Sequence, residues 1–202
     1  MFATLLLTTY TLIAQPQPAD TVTVDSQQTL EQALEGTTAP DSITRQLTLV
    51  NVEYYSFDGQ LHHGQLLIHR DLADDIRQLF HEIKARRFPI ESVIPIRFDR
   101  PNNGTSMDTL NNTYGFHYRT VNTSKSTRLS AHARGRAIDI NPFQNPAILH
   151  NGTVIPREGA YDPQSPGTLT RETWLTRLFR QLGWQWGGNW NSLKDYMHFE
   201  KP

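Results

Sequence analysis

Two short histidine-containing motifs in the second half of the chain constrain its fold more than any other feature. The first is Ser-Ala-His-Ala-Arg-Gly-Arg-Ala-Ile-Asp-Ile-Asn over residues 130–141, and the second is Asp-Tyr-Met-His-Phe over residues 195–199. Together they supply two imidazoles and one carboxylate, from His132, Asp139 and His198. Three such ligands leave the fourth position of a tetrahedral metal open, which is typical of catalytic zinc sites. The motifs therefore predict a catalytic metal centre in a hydrolase.

The composition favours one folded domain and excludes several other classes of protein. The chain has 202 residues, of which 37% are hydrophobic and 10% aromatic, enough for one substantial core. Its formal net charge of -1 gives no basic field to attract nucleic acid, so we expect no nucleic-acid partner. Because cysteine is absent, any metal must be held by histidine nitrogen and carboxylate oxygen. The oligomeric state stays open.

The N-terminal residues predict export. Phe2 to Ala14 form an apolar stretch of the length of a signal-peptide core, too short to span a membrane. We therefore expect a signal peptide over residues 1–19, a mature chain without an integral membrane span, and a periplasmic or extracellular location. A tethered or buried N-terminal segment is the alternative, because no Lys or Arg precedes the apolar stretch.

The composition also suggests where the domain begins. Residues 20–44 are rich in Thr, Ser, Gln, Asp, Glu and Pro and contain few large apolar residues, which predicts a solvated linker. The catalytic domain is then expected over residues 45–202.

Hydrophobic patterns in this domain predict both strands and helices. Two strands, 46–55 and 64–68, flank an Asp58-Gly59 turn that is typical of hairpins. Apolar residues at helical spacing predict a first helix that includes Leu72, Ile76, Leu79, Phe80 and Ile83, with Asp71 as its N-cap. A second helix is predicted from about Thr170 to Gly183. The mixture indicates an α+β domain.

The motifs together resemble the D-alanyl-D-alanine carboxypeptidase family of zinc peptidases, peptidase family M15. The matching parts are Ser-x-His-x-x-Gly-x-Ala-x-Asp, the following Asn-Pro, Trp-Gly-Gly at 186–188 and Asp-x-x-His-Phe. The upstream likeness is to the branch that contains phage L-alanyl-D-glutamate endolysins, and it involves Ser106-Met107, Asn111 to Thr113, Phe116 and Tyr118-Arg119. The resemblance extends from about Val52 to Lys201. It implies a small antiparallel sheet that bears the zinc site and is flanked by helices, as in Hedgehog and DD-peptidase domains.

The resemblance implies a role for each matching residue. His132, Asp139 and His198 would bind one Zn²⁺ ion. Asp195 would be the general base, and Arg119 would stabilise negative charge on the substrate carbonyl. The candidates for orienting the ligands or contacting the substrate are Ser130, Asn141, His117 and Trp186. The remaining histidines are interpreted as surface or satisfied core residues.

The resemblance implies peptidoglycan stem peptides as the substrate but allows more than one reaction. We expect a D-alanyl-D-alanine carboxypeptidase, with an L-alanyl-D-glutamate endopeptidase of the same family as the alternative. A carboxypeptidase needs a cation for the terminal carboxylate, and Arg128, Arg134 or Arg136 could serve. A non-catalytic module that binds cell-wall peptides is the alternative from a different functional class.

Overall fold

The structure is a computed structural model that describes residues 22–96, 110–121 and 127–202. The predicted signal peptide over residues 1–19 and the Ser106-Met107 part of the resemblance lie outside the described residues. The described residues form helices and four small sheets, which confirms the α+β prediction. No helix in these ranges is long and apolar enough to cross a membrane.

A hairpin forms the largest sheet. The hairpin strands are β2 (Leu47–Tyr55) and β3 (Leu61–His69), and they include most of the predicted residues. A short additional strand, β1 (Thr23–Val24), lies at the edge of the sheet. β2 and β3 are antiparallel, and β1 pairs with β3 in parallel. Alternate residues of β2 are buried, namely Val50, Val52 and Tyr54, because successive side chains of a strand point to opposite faces. The predicted hairpin is confirmed, and β3 begins earlier than expected.

The segment before the hairpin packs against the sheet, whereas its composition predicted a solvated linker over residues 20–44. Within it lie β1 and two short helices, α1 (Leu30–Leu34) and α2 (Asp41–Thr44). Ala33 is buried, and the Ser26 hydroxyl donates to Gln65 Oε1 at 2.8 Å. Composition was misleading here because the segment is held by main-chain pairing and polar side chains rather than by large apolar residues.

Two longer helices cover the core. They are α3 (Ala73–Ala85) and α4 (Trp174–Gln181). The predicted apolar residues of α3 are buried, but Asp71 is not its N-cap. Asp71 lies in a 3-10 turn, where its main-chain N–H donates to His69 Nδ1 at 3.2 Å. Gly183 follows the end of α4 with a φ of +88°, as expected for a C-terminal glycine.

Eight short strands form the remaining three sheets. One sheet pairs β4 (Ser92–Val93) with β5 (Asn112–Thr113). A second places β7 (Ala147–Ile148) between β8 (Val154–Ile155) and β10 (Lys194–Asp195). The third is antiparallel and consists of β6 (Ala137–Asp139), β11 (His198–Glu200) and β9 (Gln185–Trp186), with β11 in the centre.

The third sheet connects the hydrophobic core to the two motifs. Ile138 of β6 and Phe199 of β11 are both fully buried in the core, and the Phe199 ring stacks on Phe179 of α4 with ring centroids 3.9 Å apart. Because side chains alternate along a strand, Asp139 and His198 point to the opposite face. Packing of one face therefore fixes the position of the polar residues on the other.

Candidate metal centre and active site

Three potential ligand atoms from the two motifs form a nearly equilateral triangle. The Nε2 atom of His132 lies 3.1 Å from His198 Nδ1 and 3.1 Å from Asp139 Oδ1, and these last two atoms are 3.0 Å apart. Ligands of a tetrahedral zinc ion, at bond lengths of about 2.0–2.1 Å, lie about 3.3 Å from one another. All three residues are buried. The triangle therefore fits one metal ion, and it is the one such cluster among the described residues.

Strand pairing brings two of these residues together. Asp139 ends β6 and His198 begins β11, and the two are directly opposite in the antiparallel register. Residues opposite each other in such a pair project from the same face of the sheet. The pairing thus joins the two sequence motifs at the metal cluster.

A tight turn places the third residue. His132 begins a 3-10 turn that ends at Gly135, whose φ is +64°. A Cβ atom on Gly135 would lie 2.5 Å from Leu47 Cδ2 and 2.7 Å from the main-chain nitrogen of His69. Ser130 stabilises the turn, since its Oγ accepts the main-chain N–H of His132 at 3.3 Å. Glycine is thus required both by conformation and by the close approach of β3.

Hydrogen bonds select which nitrogen of each imidazole faces the cluster. The Nδ1–H of His132 donates to the carbonyl oxygen of Gly115 at 2.6 Å, which leaves Nε2 with its lone pair. The Nε2–H of His198 donates to Glu200 Oε2 at 3.2 Å, which leaves Nδ1 facing the other two residues. Such outer hydrogen bonds orient metal-binding histidines in proteins generally.

The charges of the cluster are strongly coupled. Burial lowers the pKa of His132. Burial also opposes ionisation of Asp139, but the charge and hydrogen bonds of His132 and His198 hold the pKa of Asp139 well below its usual range. Burial disfavours the charged form of His198, yet hydrogen bonds to Asp139 and Glu200 raise its pKa to about 10. Without a metal ion, a proton on His198 therefore bridges to the Asp139 carboxylate.

Asp195 is a half-buried residue next to the cluster. Its Oδ1 atom is buried and has no hydrogen-bond partner among the described residues. Burial raises the pKa of Asp195 to about 7, although the positive charge of His198 opposes this rise. A Cβ atom on Gly187 would lie 2.9 Å from Asp195 Cβ and 3.3 Å from His198 Cβ. The glycine therefore allows Asp195 to pack close to a metal-ligand candidate.

Arg119 and His117 lie on the segment that runs past His132. The main-chain N–H of His117 donates to the carbonyl oxygen of His132 at 3.1 Å, and Ser130 N–H donates to the carbonyl oxygen of Arg119 at 3.1 Å. Burial raises the pKa of Asp195, and the Arg119 charge partly opposes this rise, so the guanidinium acts electrostatically on the site. Burial, followed by the Arg119 charge, lowers the pKa of His117 to about 4. His117 is therefore neutral at neutral pH.

Asn141 and Trp186 do not have the contacts expected of residues that orient ligands or touch substrate. Asn141 is fully buried, and its amide group bonds to Glu91 N, Pro89 O and Gly167 O. Trp186 is 4% exposed and its Nε1–H donates to the carbonyl oxygen of Tyr196 at 2.8 Å. Both are core residues, since Asn141 joins three chain segments and Trp186 lies on the core face of the ligand-bearing sheet, opposite Phe199.

Three further residues at the site were not predicted from the sequence. Glu200 bonds to His198, Trp190 lies against the His198 ring with centroids 5.2 Å apart, and Tyr114 lies against the His132 ring at 5.1 Å. Burial raises the pKa of the Tyr114 hydroxyl well above its usual range, and the Asp139 charge adds to this rise. Alternation along a strand could have identified Glu200, because it is two residues after a predicted ligand. The sequence has no comparable signal for Tyr114 or Trp190.

Comparison with known families agrees with this geometry. A peptidase M15 family model, described as D-alanyl-D-alanine carboxypeptidase, matches residues 123–201. The match contains all three metal-ligand candidates and Asp195, while Arg119 lies upstream of it. Over these residues the chain is similar to the M15 peptidase family. No curated protein and no solved structure matches the chain. This similarity supports a peptidase and confirms, for residues 123–201, the resemblance seen in the sequence.

Proposed function

We propose that the protein is a zinc metallopeptidase that removes the terminal D-alanine from peptidoglycan stem peptides. The observation that carries this proposal is the triangle of His132, Asp139 and His198 beside Asp195, whose buried Oδ1 has no hydrogen-bond partner among the described residues. Two histidines and one carboxylate, with no cysteine, form a ligand set suited to catalytic zinc. The family match supplies the peptidase class and the stem-peptide expectation.

The proposed fold and location follow from the same resemblance. The antiparallel sheet that carries Asp139 and His198, with helices packed on its other face, supports a DD-peptidase-like arrangement. Stem peptides lie outside the cytoplasmic membrane, so we propose that the protein is exported and that residues 1–19 are its signal peptide.

The metal ion, Asp195 and Arg119 would each have a separate role in the proposed reaction. Bound zinc would polarise the scissile carbonyl and lower the pKa of a water molecule to about 7. Asp195 accepts the proton of the attacking water and transfers it to the leaving amine, for which a pKa near neutrality is well suited. Arg119 stabilises the negative charge that develops on the carbonyl oxygen.

The contacts of the arginines near the site narrow the choice of a carboxylate-binding residue for a carboxypeptidase. Arg136 is already engaged, because its guanidinium donates to the carbonyl oxygens of Lys201 and Pro202 at 2.9 and 2.8 Å. Arg134 and Arg128 are exposed. The Arg128 charge also lowers the pKa of Glu200, after the larger effect of the His198 hydrogen bond. Because its charge acts on Glu200 beside the cluster, Arg128 is our candidate for binding the terminal carboxylate of the substrate.

Mass spectrometry of a defined pentapeptide muropeptide tests this function. The zinc-loaded protein should release the terminal D-alanine, whereas a chelated sample should not. Amidation of the peptide C-terminus should strongly reduce cleavage, because it removes the carboxylate that the cation binds. Arg128→Gln should raise KM, and Arg180→Gln, at an exposed arginine on α4, is the matched control.

Two other outcomes would change the assignment. Cleavage between L-alanine and D-glutamate, unaffected by amidation, would establish the endopeptidase alternative. Binding of the peptide by the metal-loaded protein without any cleavage would favour the non-catalytic module.

A further inference from the structure

Glu200 makes a contact with the metal centre to which no role has been assigned. Its Oε2 atom accepts the Nε2–H of His198 at 3.2 Å, on the side of the imidazole that faces away from Asp139 and His132. The Glu200 side chain is 33% exposed, while that of His198 is 8% exposed.

The ligand-bearing sheet builds this contact. His198 and Glu200 are two residues apart on β11 and therefore project from the same face. The residues opposite them on β6 are Asp139 and Ala137, respectively. Ala137 is fully buried, and its small side chain leaves space on this face for the Glu200 carboxylate. Ala137 and Asp139 of β6 are thus paired with Glu200 and His198 of β11.

The two histidines of the cluster would not approach a metal ion through the same nitrogen. His132 offers Nε2 because its Nδ1–H is bonded to Gly115 O, a main-chain group that no side-chain substitution removes. His198 offers Nδ1, and the acceptor for its other nitrogen is a side chain. A carboxylate acceptor holds the ring orientation and increases the basicity of the opposite nitrogen.

We propose that Glu200 is a positioning residue of the metal centre, which presents Nδ1 of His198 to zinc by accepting the hydrogen bond from Nε2–H. It acts through His198 and does not contact the substrate. The inference rests on the proposed zinc-dependent function, because it assigns a role toward the same metal ion.

Zinc affinity, measured by competition with a chromophoric chelator, tests the proposal without any assay of catalysis. Glu200→Ala should weaken zinc binding about 10- to 100-fold. Glu200→Gln should restore part of the affinity, because the amide oxygen can still accept the hydrogen bond. Glu172→Ala, at an exposed glutamate whose side chain is paired only with Arg177 in the described contacts, should bind zinc as the unaltered protein does.

A second measurement uses the unaltered protein and does not depend on the folding of a variant. In the zinc-loaded protein, nitrogen-15 NMR of the imidazoles should show His198 with metal-bound Nδ1 and a downfield, slowly exchanging Nε2–H. Metal bound at Nε2 of His198, or an Nε2–H with the shift and exchange of a solvated imidazole, would overturn the proposal. Equal zinc affinities for folded Glu200→Ala and the unaltered protein would also overturn it. Failure of the unaltered protein to bind zinc would instead contradict the proposed function.

Discussion

His132 Nε2 lies 3.1 Å from His198 Nδ1, so the two imidazoles approach each other through chemically different nitrogens. The difference originates in their surroundings, since a main-chain carbonyl occupies the other nitrogen of His132 and a carboxylate occupies that of His198. Asp139 completes the triangle from the strand that pairs with His198. The hydrogen bonds around the cluster therefore orient the three ligand candidates toward one another.

Zinc affinity should increase with pH. The metal-free site holds a proton on His198, because the hydrogen bonds to Asp139 and Glu200 raise its pKa to about 10. Below that pH zinc must displace this proton, so the affinity should rise about tenfold per pH unit between about pH 7 and 8.5. Burial raises the pKa of Asp195 to about 7. Its ionisation as pH rises adds a negative charge near the site and should also increase zinc affinity. Chelator competition across this range measures the slope, and an affinity independent of pH would show that His198 is neutral in the free site.

Replacement of Asp195 by Asn should abolish turnover but retain the metal. The amide cannot accept the proton of the attacking water, so kcat should fall about 10²- to 10⁴-fold. Zinc affinity should stay within about tenfold, since Asp195 is not one of the three ligand candidates. Peptide cleavage and zinc content are measured on the same preparation. Asp41→Asn, at a carboxylate that is 80% exposed and paired with Arg45, is the control; equal activity of the two variants would remove Asp195 from the mechanism.

Gly187→Ala should impair catalysis by displacing the base. The new Cβ would lie 2.6 Å from the carbonyl oxygen of Asp195 and 2.9 Å from its Cβ, closer than such atoms can approach without movement. We expect kcat to fall at least about tenfold, since misplacement of a catalytic group by about 1 Å can lower the rate about 10²-fold. Gly152→Ala is a suitable comparison, because nothing lies within 4 Å of its Cβ position. Unchanged kinetics of Gly187→Ala would show that Asp195 tolerates the displacement.

Asn141→Ala should destabilise the fold rather than alter the chemistry. The substitution leaves the main-chain N–H of Glu91 and the carbonyl oxygens of Pro89 and Gly167 without their present partner. It also places alanine at a φ of +44°. We expect the free energy of unfolding to decrease by about 2–4 kcal/mol, as measured by urea denaturation. A stable variant with a large loss of zinc affinity would instead support the role in ligand orientation that the sequence suggested.

The sequence predicted the metal cluster more completely than it predicted the surrounding fold. The residues of Ser-x-His-x-x-Gly-x-Ala-x-Asp and Asp-x-x-His form a tight turn and two paired strands. The same motifs contain the ligand candidates, so recognising the motifs also identified the cluster. The β2–β3 hairpin was equally predictable from the sequence, because its buried residues alternate and its turn contains Gly59. The hairpin and the turn after His132 depend mainly on short-range geometry, whereas the pairing of β6 with β11 joins residues 59 positions apart and was inferred from the family resemblance.

Long-range polar contacts were not predictable in the same way. Asn141 was expected near the ligands, but its buried amide joins segments that are distant in sequence. Ser26 joins the N-terminal segment to β3 through Gln65, in a region whose composition resembles a linker. Tyr114 pairs with Asp139 in an isolated β-bridge, and its ring lies against that of His132. A single polar residue has no periodic pattern that identifies its distant partner.

Stoichiometric reactivation by zinc tests the central claim most directly. The purified protein is stripped of metal with a chelator and titrated with zinc, while release of D-alanine from a pentapeptide muropeptide is measured by mass spectrometry. We predict that activity rises in proportion to added zinc and saturates at one equivalent per chain, and that His132→Ala does not recover. Cleavage that persists in the stripped protein, or no cleavage at full zinc occupancy, would contradict the assignment of His132, Asp139 and His198 as the catalytic metal centre.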